Sequence, residues 1–127
     1  MSRGATKERI EKSSERLNKV LDEVFYGDKK LLAFVCGTNL VTLYGWLNGK
    51  HAPTGLGMFR LSQCVPSYSC DYLEGRTDVN TPHRTEYWEN IPFQQQPDIF
   101  RRDIVLLREL VANRARIHEY RSKVNHE

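Results

Sequence analysis

The segment from Asp28 to Lys50, DKKLLAFVCGTNLVTLYGWLNGK, constrains the fold more than any other part of the chain. It predicts two short helices joined by a tight turn at residues 37–39. Gly37 suits the end of the first helix, because glycine adopts the left-handed conformation at little steric cost. Asn39 suits the start of the second, because its side-chain oxygen can accept the unpaired N–H groups of the first turn. Gly49 follows the second helix, where C-terminal glycines are common.

The second helix of this pair has an apolar stripe that predicts burial on one side. The stripe consists of Leu40, Leu43 and Leu47, together with Trp46. Two helices that cross steeply over a three- or four-residue turn containing glycine form a helix-turn-helix, whose second helix enters the major groove of DNA. The segment therefore favours a DNA-binding module.

Residues in and beyond this segment resemble a known family. They are Ala33 and Gly37, then TLxxWLNGK over 42–50 with Pro53, then Met58, Phe59, Leu61, Cys64 and Val65, and finally DYLxGRTD over 71–78. Together they resemble the lambda-repressor-like, xenobiotic-response-element-type helix-turn-helix family, to which bacteriophage repressors belong. The resemblance covers about residues 15–78, with one apparent extra residue near Pro66. It implies a domain of five helices that binds operator DNA.

The chain length of 127 residues suits one small domain with an accessory element. We predict an all-α protein with a five-helix lambda-repressor-like DNA-binding domain over residues 1–78. A linker follows over 79–97, where Pro82, Pro92 and Pro97 interrupt regular structure. The remaining residues, 98–127, are predicted to form an oligomerisation helix.

The predicted C-terminal helix runs from Asp98 to about Lys123, because this stretch contains no glycine or proline. Its apolar residues must pack on the chain's own domain or on a second copy. We expect self-association, and hence a homodimer or a higher oligomer. The expected oligomerisation residues are Phe100, Ile104, Leu107, Leu110, Val111 and Ile117. Docking of the helix on its own domain is the alternative.

The family resemblance also implies which residues face DNA. Base contacts carried over residue by residue fall on Leu40, Val41, Thr42, Tyr44 and Gly45. Relatives commonly have glutamine, serine or arginine there, whose polar side chains can hydrogen-bond base edges. We therefore expect a readout weighted toward thymine methyl groups and DNA shape. The expected contacts to the DNA backbone are Lys29, Lys30, Asn39, Asn48, Lys50, His51 and Arg60.

The charge and the remaining motifs narrow the possible functions. A net charge of +3 is mildly basic, which is compatible with sequence-specific DNA binding. The sequence has no phosphate-binding glycine loop and no recognisable nucleophile with a base, so we expect no enzymatic activity, cofactor or metal site. Three cysteines without a C-x-x-C pair, and no long apolar run, predict reduced thiols and a cytoplasmic location without a membrane partner.

These observations predict a transcriptional regulator, in the first place a phage or mobile-element repressor that binds operator DNA as a dimer in a bacterial host. An antirepressor protein is one way to release it. Two alternatives stay open. An antitoxin-like autoregulator would bind a toxin protein through its C-terminal part. A protein-binding module with degenerate DNA binding would use Leu40, Val41 and Tyr44 against another protein.

Overall fold

A computed structural model describes residues 6–65, 67–80 and 98–125, without the side chains of 98–103 and 125. These ranges form six helices: α1 (Lys7–Glu23), α2 (Lys29–Cys36), α3 (Leu40–Leu47), α4 (Gly55–Cys64), α5 (Cys70–Leu73) and α6 (Asp98–Asn125). No strand occurs in them, which confirms the predicted all-α class and the long C-terminal helix. Beyond Asn80, the predicted linker lies outside the described residues.

Side-chain caps determine where the first five helices begin. In each case the side chain of the N-cap accepts a hydrogen bond from the backbone N–H three residues later, which satisfies a group that the helix itself leaves unpaired. The predicted cap Asn39 and the predicted left-handed Gly37, with φ of 73°, are both confirmed. The five N-caps are Thr6, Asp28, Asn39, Thr54 and Ser69.

The hydrophobic core lies between α1–α5 and the first half of α6. Burial of these side chains is the main favourable contribution to folding, at roughly 1.5–3 kcal/mol for each large one. α6 contacts α4 and α2, so it closes one side of this core. The largest fully buried apolar side chains are Phe25, Leu17, Leu32, Leu43, Met58, Leu61, Leu73, Val20 and Val35.

α6 packs on its own domain through three of the residues that the sequence predicts to join two copies. Ile104 and Leu107 are buried, with 8% and 2% of their surface exposed, and Val111 packs against the same core. The oligomerisation prediction is therefore corrected for these three side chains. Burial within the chain removes them from water without the translational entropy that association costs. Leu110 and Ile117 stay exposed, and the side chain of Phe100 lies outside the described residues.

Polar contacts fix α6 along much of its length. Arg108 donates from Nε to the backbone carbonyl of Gln63 at 2.8 Å, at the end of α4. Further along, Arg114 pairs with Asp28, the N-cap of α2, at 3.4 Å. The ring of His118 stacks on Tyr26, with 4.0 Å between ring centroids and an angle of 8° between planes. α6 is thus attached to the turn that precedes α2 as well as to the core.

α1 binds the carboxyl end of α5 with three side chains. Arg9 donates to the carbonyl of Glu74 at 2.9 Å, and Ser13 donates to that of Leu73 at 2.7 Å. Arg16 reaches the carbonyls of Tyr72 at 2.7 Å and of Thr77 at 2.9 Å. The last carbonyls of a helix have no partner within it. These bonds therefore attach the 71–78 segment to α1.

We expect Gly75→Ala to destabilise the protein more than Gly27→Ala. Both glycines have positive φ, of 76° and 81°, so a side chain costs about 1–2 kcal/mol at either position. At Gly75 the new Cβ would also lie 2.6 Å from the backbone oxygen of Arg9, whereas at Gly27 nothing lies within 4 Å. Overpacking adds about 1–3 kcal/mol. Urea unfolding of both variants measures the difference, and equal losses would contradict the close approach of α1 to Gly75.

Asp78 should make the stability of the fold depend on pH. Hydrogen bonds from Lys12 and Arg16 lower the pKa of this carboxyl from its ordinary value of 3.8. A lowered pKa in the folded state means that the contribution is complete above pH 3.8 and disappears as the pH falls through the folded value. We expect Asp78→Asn to lower the urea midpoint at pH 7, and this effect to shrink as the pH falls below 3.8. Asn substitution of exposed Asp22 is the control, and an Asp78→Asn effect that persists in acid would refute the ion pairs.

Candidate nucleic-acid interface

α2 and α3 are joined by a sharp turn of three residues, Gly37, Thr38 and Asn39. The two helices are bent by 100° relative to each other, within the range of about 90–120° that helix-turn-helix motifs span. Gly37 donates its N–H to the carbonyl of Phe34 at 3.1 Å, and Thr38 donates to that of Ala33 at 2.9 Å. The turn therefore satisfies carbonyls at the end of α2 while it redirects the chain.

α3 buries one side and exposes the other. Leu43, Trp46 and Leu47 are buried, as the apolar stripe predicted. Trp46 lies against Gly57 of α4, where an added Cβ would be 3.0 Å from the indole ring. On the outer side, Val41 is 81% exposed and Tyr44 is 43% exposed. This outer face of α3 is accessible to a partner.

α1 holds the carboxyl end of α3 in place. Ser14 donates from Oγ to the carbonyl of Leu47 at 2.6 Å, and Asn18 donates from Nδ2 to the same oxygen at 2.9 Å. Our sequence reasoning did not identify these two donors. The sequence does contain a signal for them. Ser14 and Asn18 are four residues apart, so they share one side of α1, next to the apolar stripe that contains Leu17 and Leu21.

The five residues predicted to read bases differ in exposure. Val41 and Tyr44 are free on the outer face, and Thr42 is half-buried with its N–H bound to the Asn39 side chain at 2.8 Å. Leu40 is half-buried against the core, so only part of it is accessible. Of the five, Val41 and Tyr44 therefore have the most exposed side chains.

Gly45 requires a correction, because it is buried beneath the ring of His51. An added Cβ at Gly45 would lie 2.9 Å from Cδ2 of that ring. The loop after α3 folds back to make this contact, with the N–H groups of Lys50 and His51 donating to the Gly45 carbonyl at 2.9 and 3.3 Å. His51, rather than Gly45, thus forms this part of the surface.

The residues predicted to contact the DNA backbone lie mostly on the surface. Lys29 extends over the ring of Tyr44, with Nζ 5.4 Å from the centroid, a cation–π distance that sequence reasoning did not anticipate. This contact brings the start of α2 next to the outer face of α3. The exposed members of the predicted set are Lys29, Lys30, Asn39, Asn48, Lys50 and His51.

Arg60, also predicted to contact the DNA backbone, is half-buried. It donates from Nε to the carbonyl of Val35 at 3.2 Å, and its guanidinium lies against the backbone of Gly37. These contacts attach α4 to the end of α2. The Arg60 side chain also lines a groove beside α6, together with Phe34 and Leu106. Its contacts therefore support the turn between α2 and α3.

The cysteines offer little reactivity. Burial raises the pKa of the Cys36 thiol to about 12 and that of Cys64 to about 11, so both are protonated at neutral pH. Cys70 is half-buried, and its thiol pKa is also raised to about 11, chiefly by burial. A nucleophilic or metal-binding thiol needs the deprotonated form. Within the described ranges, no three His, Cys, Asp or Glu side chains are grouped as a metal site.

Comparison of the chain with protein-family models, with curated proteins and with solved structures finds no match. The family resemblance of residues 15–78 therefore stays a prediction. In the described ranges no individual helix has the length and apolar character to cross a membrane, although α2 and α3 taken together as a bent pair pass that test.

We expect removal of both α1 donors to loosen the end of α3. Ser14→Ala and Asn18→Ala should each cost little, because the other donor still satisfies the Leu47 carbonyl. The double variant leaves this oxygen without its side-chain partners, so it should lose more than the sum, by about 1–3 kcal/mol. Urea unfolding gives these energies, and hydrogen exchange should show faster exchange of the α3 amides. Additive losses would contradict a shared acceptor.

Proposed function

We propose that the chain is a sequence-specific DNA-binding protein that regulates transcription, with α3 as its recognition helix. The observation that carries this proposal is the 100° bend between α2 and α3, combined with the exposure of Val41 and Tyr44. The resemblance to lambda-repressor-like regulators agrees with it. On this basis a phage or mobile-element repressor is the most specific form of the proposal.

The outer face of α3 suits an apolar reading of the major groove. That groove is about 12 Å wide and admits one helix. Val41 offers a methyl-bearing surface to thymine methyl groups, while the hydroxyl of Tyr44 can bond a base edge or a phosphate. Neither side chain forms the bidentate hydrogen bonds that discriminate guanine or adenine. The proposed specificity therefore depends on methyl contacts and on DNA shape.

Lysines beside α3 supply the charge for phosphate binding. Lys29 and Lys30 begin α2, and Lys50 follows α3 in the loop that carries His51. The contact between Lys29 and Tyr44 couples a cation to the reading face. Each phosphate that a lysine neutralises releases condensed counterions, so binding should weaken as salt increases.

A protein-binding module is the second candidate, and the 81% exposure of apolar Val41 favours it. Isolated apolar side chains are common on protein surfaces, but one at the centre of an accessible helix face suits a protein partner as well as DNA. An antitoxin-like autoregulator combines both activities. Binding to random duplex DNA at low salt separates the two candidates, because the protein-binding module would show none.

Substitutions on α3 and beside it should affect DNA binding in different ways. An operator selected from a random duplex pool provides the specific ligand. We expect Val41→Ala and Tyr44→Ala each to reduce discrimination between this operator and random DNA, because the first removes methyl contacts and the second a hydroxyl that can bond a base edge. Lys50→Ala should weaken binding to both and lower the salt slope by about 1. Fluorescence anisotropy over a salt series measures both quantities.

The control is Lys7→Ala, which removes the same charge from the exposed first residue of α1. It should leave operator binding and the salt slope unchanged. Unaltered discrimination in Tyr44→Ala would refute α3 as the reading helix. Equal effects of Lys50→Ala and Lys7→Ala would refute the assignment of Lys50 to the DNA backbone.

A further inference from the structure

α6 has a second apolar face that its own domain does not cover. Six of its large apolar side chains are exposed, and all of them except Val105 follow one another at intervals of four, seven, three and four residues. Exposed Asn113 divides the interval of seven into three and four. The result is a continuous four-three spacing, as in the a and d positions of a heptad repeat. We call this set the α6 seam: Leu106, Leu110, Asn113, Ile117, Tyr120 and Val124.

The α6 seam differs from the face that docks on the core. The docking face contains Ile104, Leu107 and Val111, which are buried or packed on the core, whereas the apolar seam residues range from 38% to 70% exposed. From Leu106 to Val124 the seam is roughly 27 Å long at 1.5 Å per residue. An exposed stripe of this length that is apolar apart from Asn113 marks an interaction surface. Its heptad spacing indicates that the partner is another helix.

We propose that the α6 seam binds the α6 seam of a second copy in an antiparallel two-helix coiled coil. A twofold axis near Ala115 then places Leu106 opposite Val124 of the second copy, and Leu110 opposite its Tyr120. All six seam positions are used in both copies. The interface is isologous, so it closes at two copies.

A groove beside the seam fits this arrangement. Phe34 of α2 is 61% exposed and lines, with Leu106 and Leu110, a groove of about 460 Å³. In the antiparallel pairing, the Tyr120 and Val124 of the second copy lie over these two leucines. Phe34 would then contact them from the side. A parallel pairing would instead bring the grooves of the two copies, each with its exposed Phe34, against each other.

Charges beside the seam favour the same orientation. Glu109 flanks Leu110 and, in the antiparallel pairing, lies beside Lys123 of the second copy. A parallel pairing would instead bring it to Arg114, which already pairs with Asp28 within its own chain. Arg114 and Arg116 flank the seam near the axis, where each lies beside the same residue of the second copy and opposes association. Arg114 is already paired with Asp28, and the two Glu109–Lys123 contacts carry the favourable charge term. In this pairing Asn113 lies opposite Ile117 of the second copy, next to the axis.

Sedimentation equilibrium of the full-length chain without DNA tests association. The wild type should sediment at twice the monomer mass, and Leu110→Glu should shift it to the monomer. Ala112→Glu is the matched control, because Ala112 is exposed on α6 but belongs to neither apolar face. It should remain dimeric. A monomeric wild type, or equal behaviour of the two variants with circular dichroism unchanged, would overturn the proposal.

A charge exchange tests the orientation. Glu109→Lys and Lys123→Glu should each weaken the dimer, since each places like charges together. The double variant restores opposite charges in the antiparallel pairing and should recover the wild-type dissociation constant. A double variant that stays as weak as the single ones would overturn the antiparallel arrangement. Because no DNA is present, these results are independent of whether α3 binds DNA.

Discussion

The hydrogen bonds that α1 donates to the ends of two short helices are the constraint on which the rest of the structure depends. α3 has eight residues and α5 has four, lengths at which a helix is unstable alone. Ser14 and Asn18 bind the last carbonyl of α3, while Arg9, Ser13 and Arg16 bind the end of α5. The direction of α3, and thus the face it exposes, follows from its attachment to α1.

α6 connects this domain with the surface proposed for a second copy. One of its faces closes the core. On the same side, Arg114 pairs with Asp28 and His118 stacks on Tyr26, both in the turn before α2. The next residues along that turn lead to Lys29, which contacts Tyr44. A partner on the α6 seam would therefore be only one helix away from the proposed DNA-binding face. Dimerisation and DNA binding would use separate surfaces, and the contacts between α6, α2 and α3 would connect the two.

Local signals predicted the turn and its caps, because Gly37 and Asn39 act through bonds to residues three or four positions away. The position of α6 could not be predicted in this way. Its apolar residues lie on two faces, and spacing alone does not say which face the chain's own core covers. Ile104 was therefore assigned to the wrong interface. The contact of Arg60 with Val35 could not be predicted for a related reason, since it joins residues 25 positions apart.

The burial of Gly45 changes how the proposed reading face should be understood. A missing side chain at a base-contacting position suggests close approach of the helix to DNA. Here the ring of His51 occupies that space, so the glycine serves packing within the protein. The surface next to Tyr44 then combines an apolar strip at Val41 with a polar ring and lysines at its edges. A surface of this composition is better suited to recognise DNA shape and phosphate positions than to identify bases through bidentate hydrogen bonds.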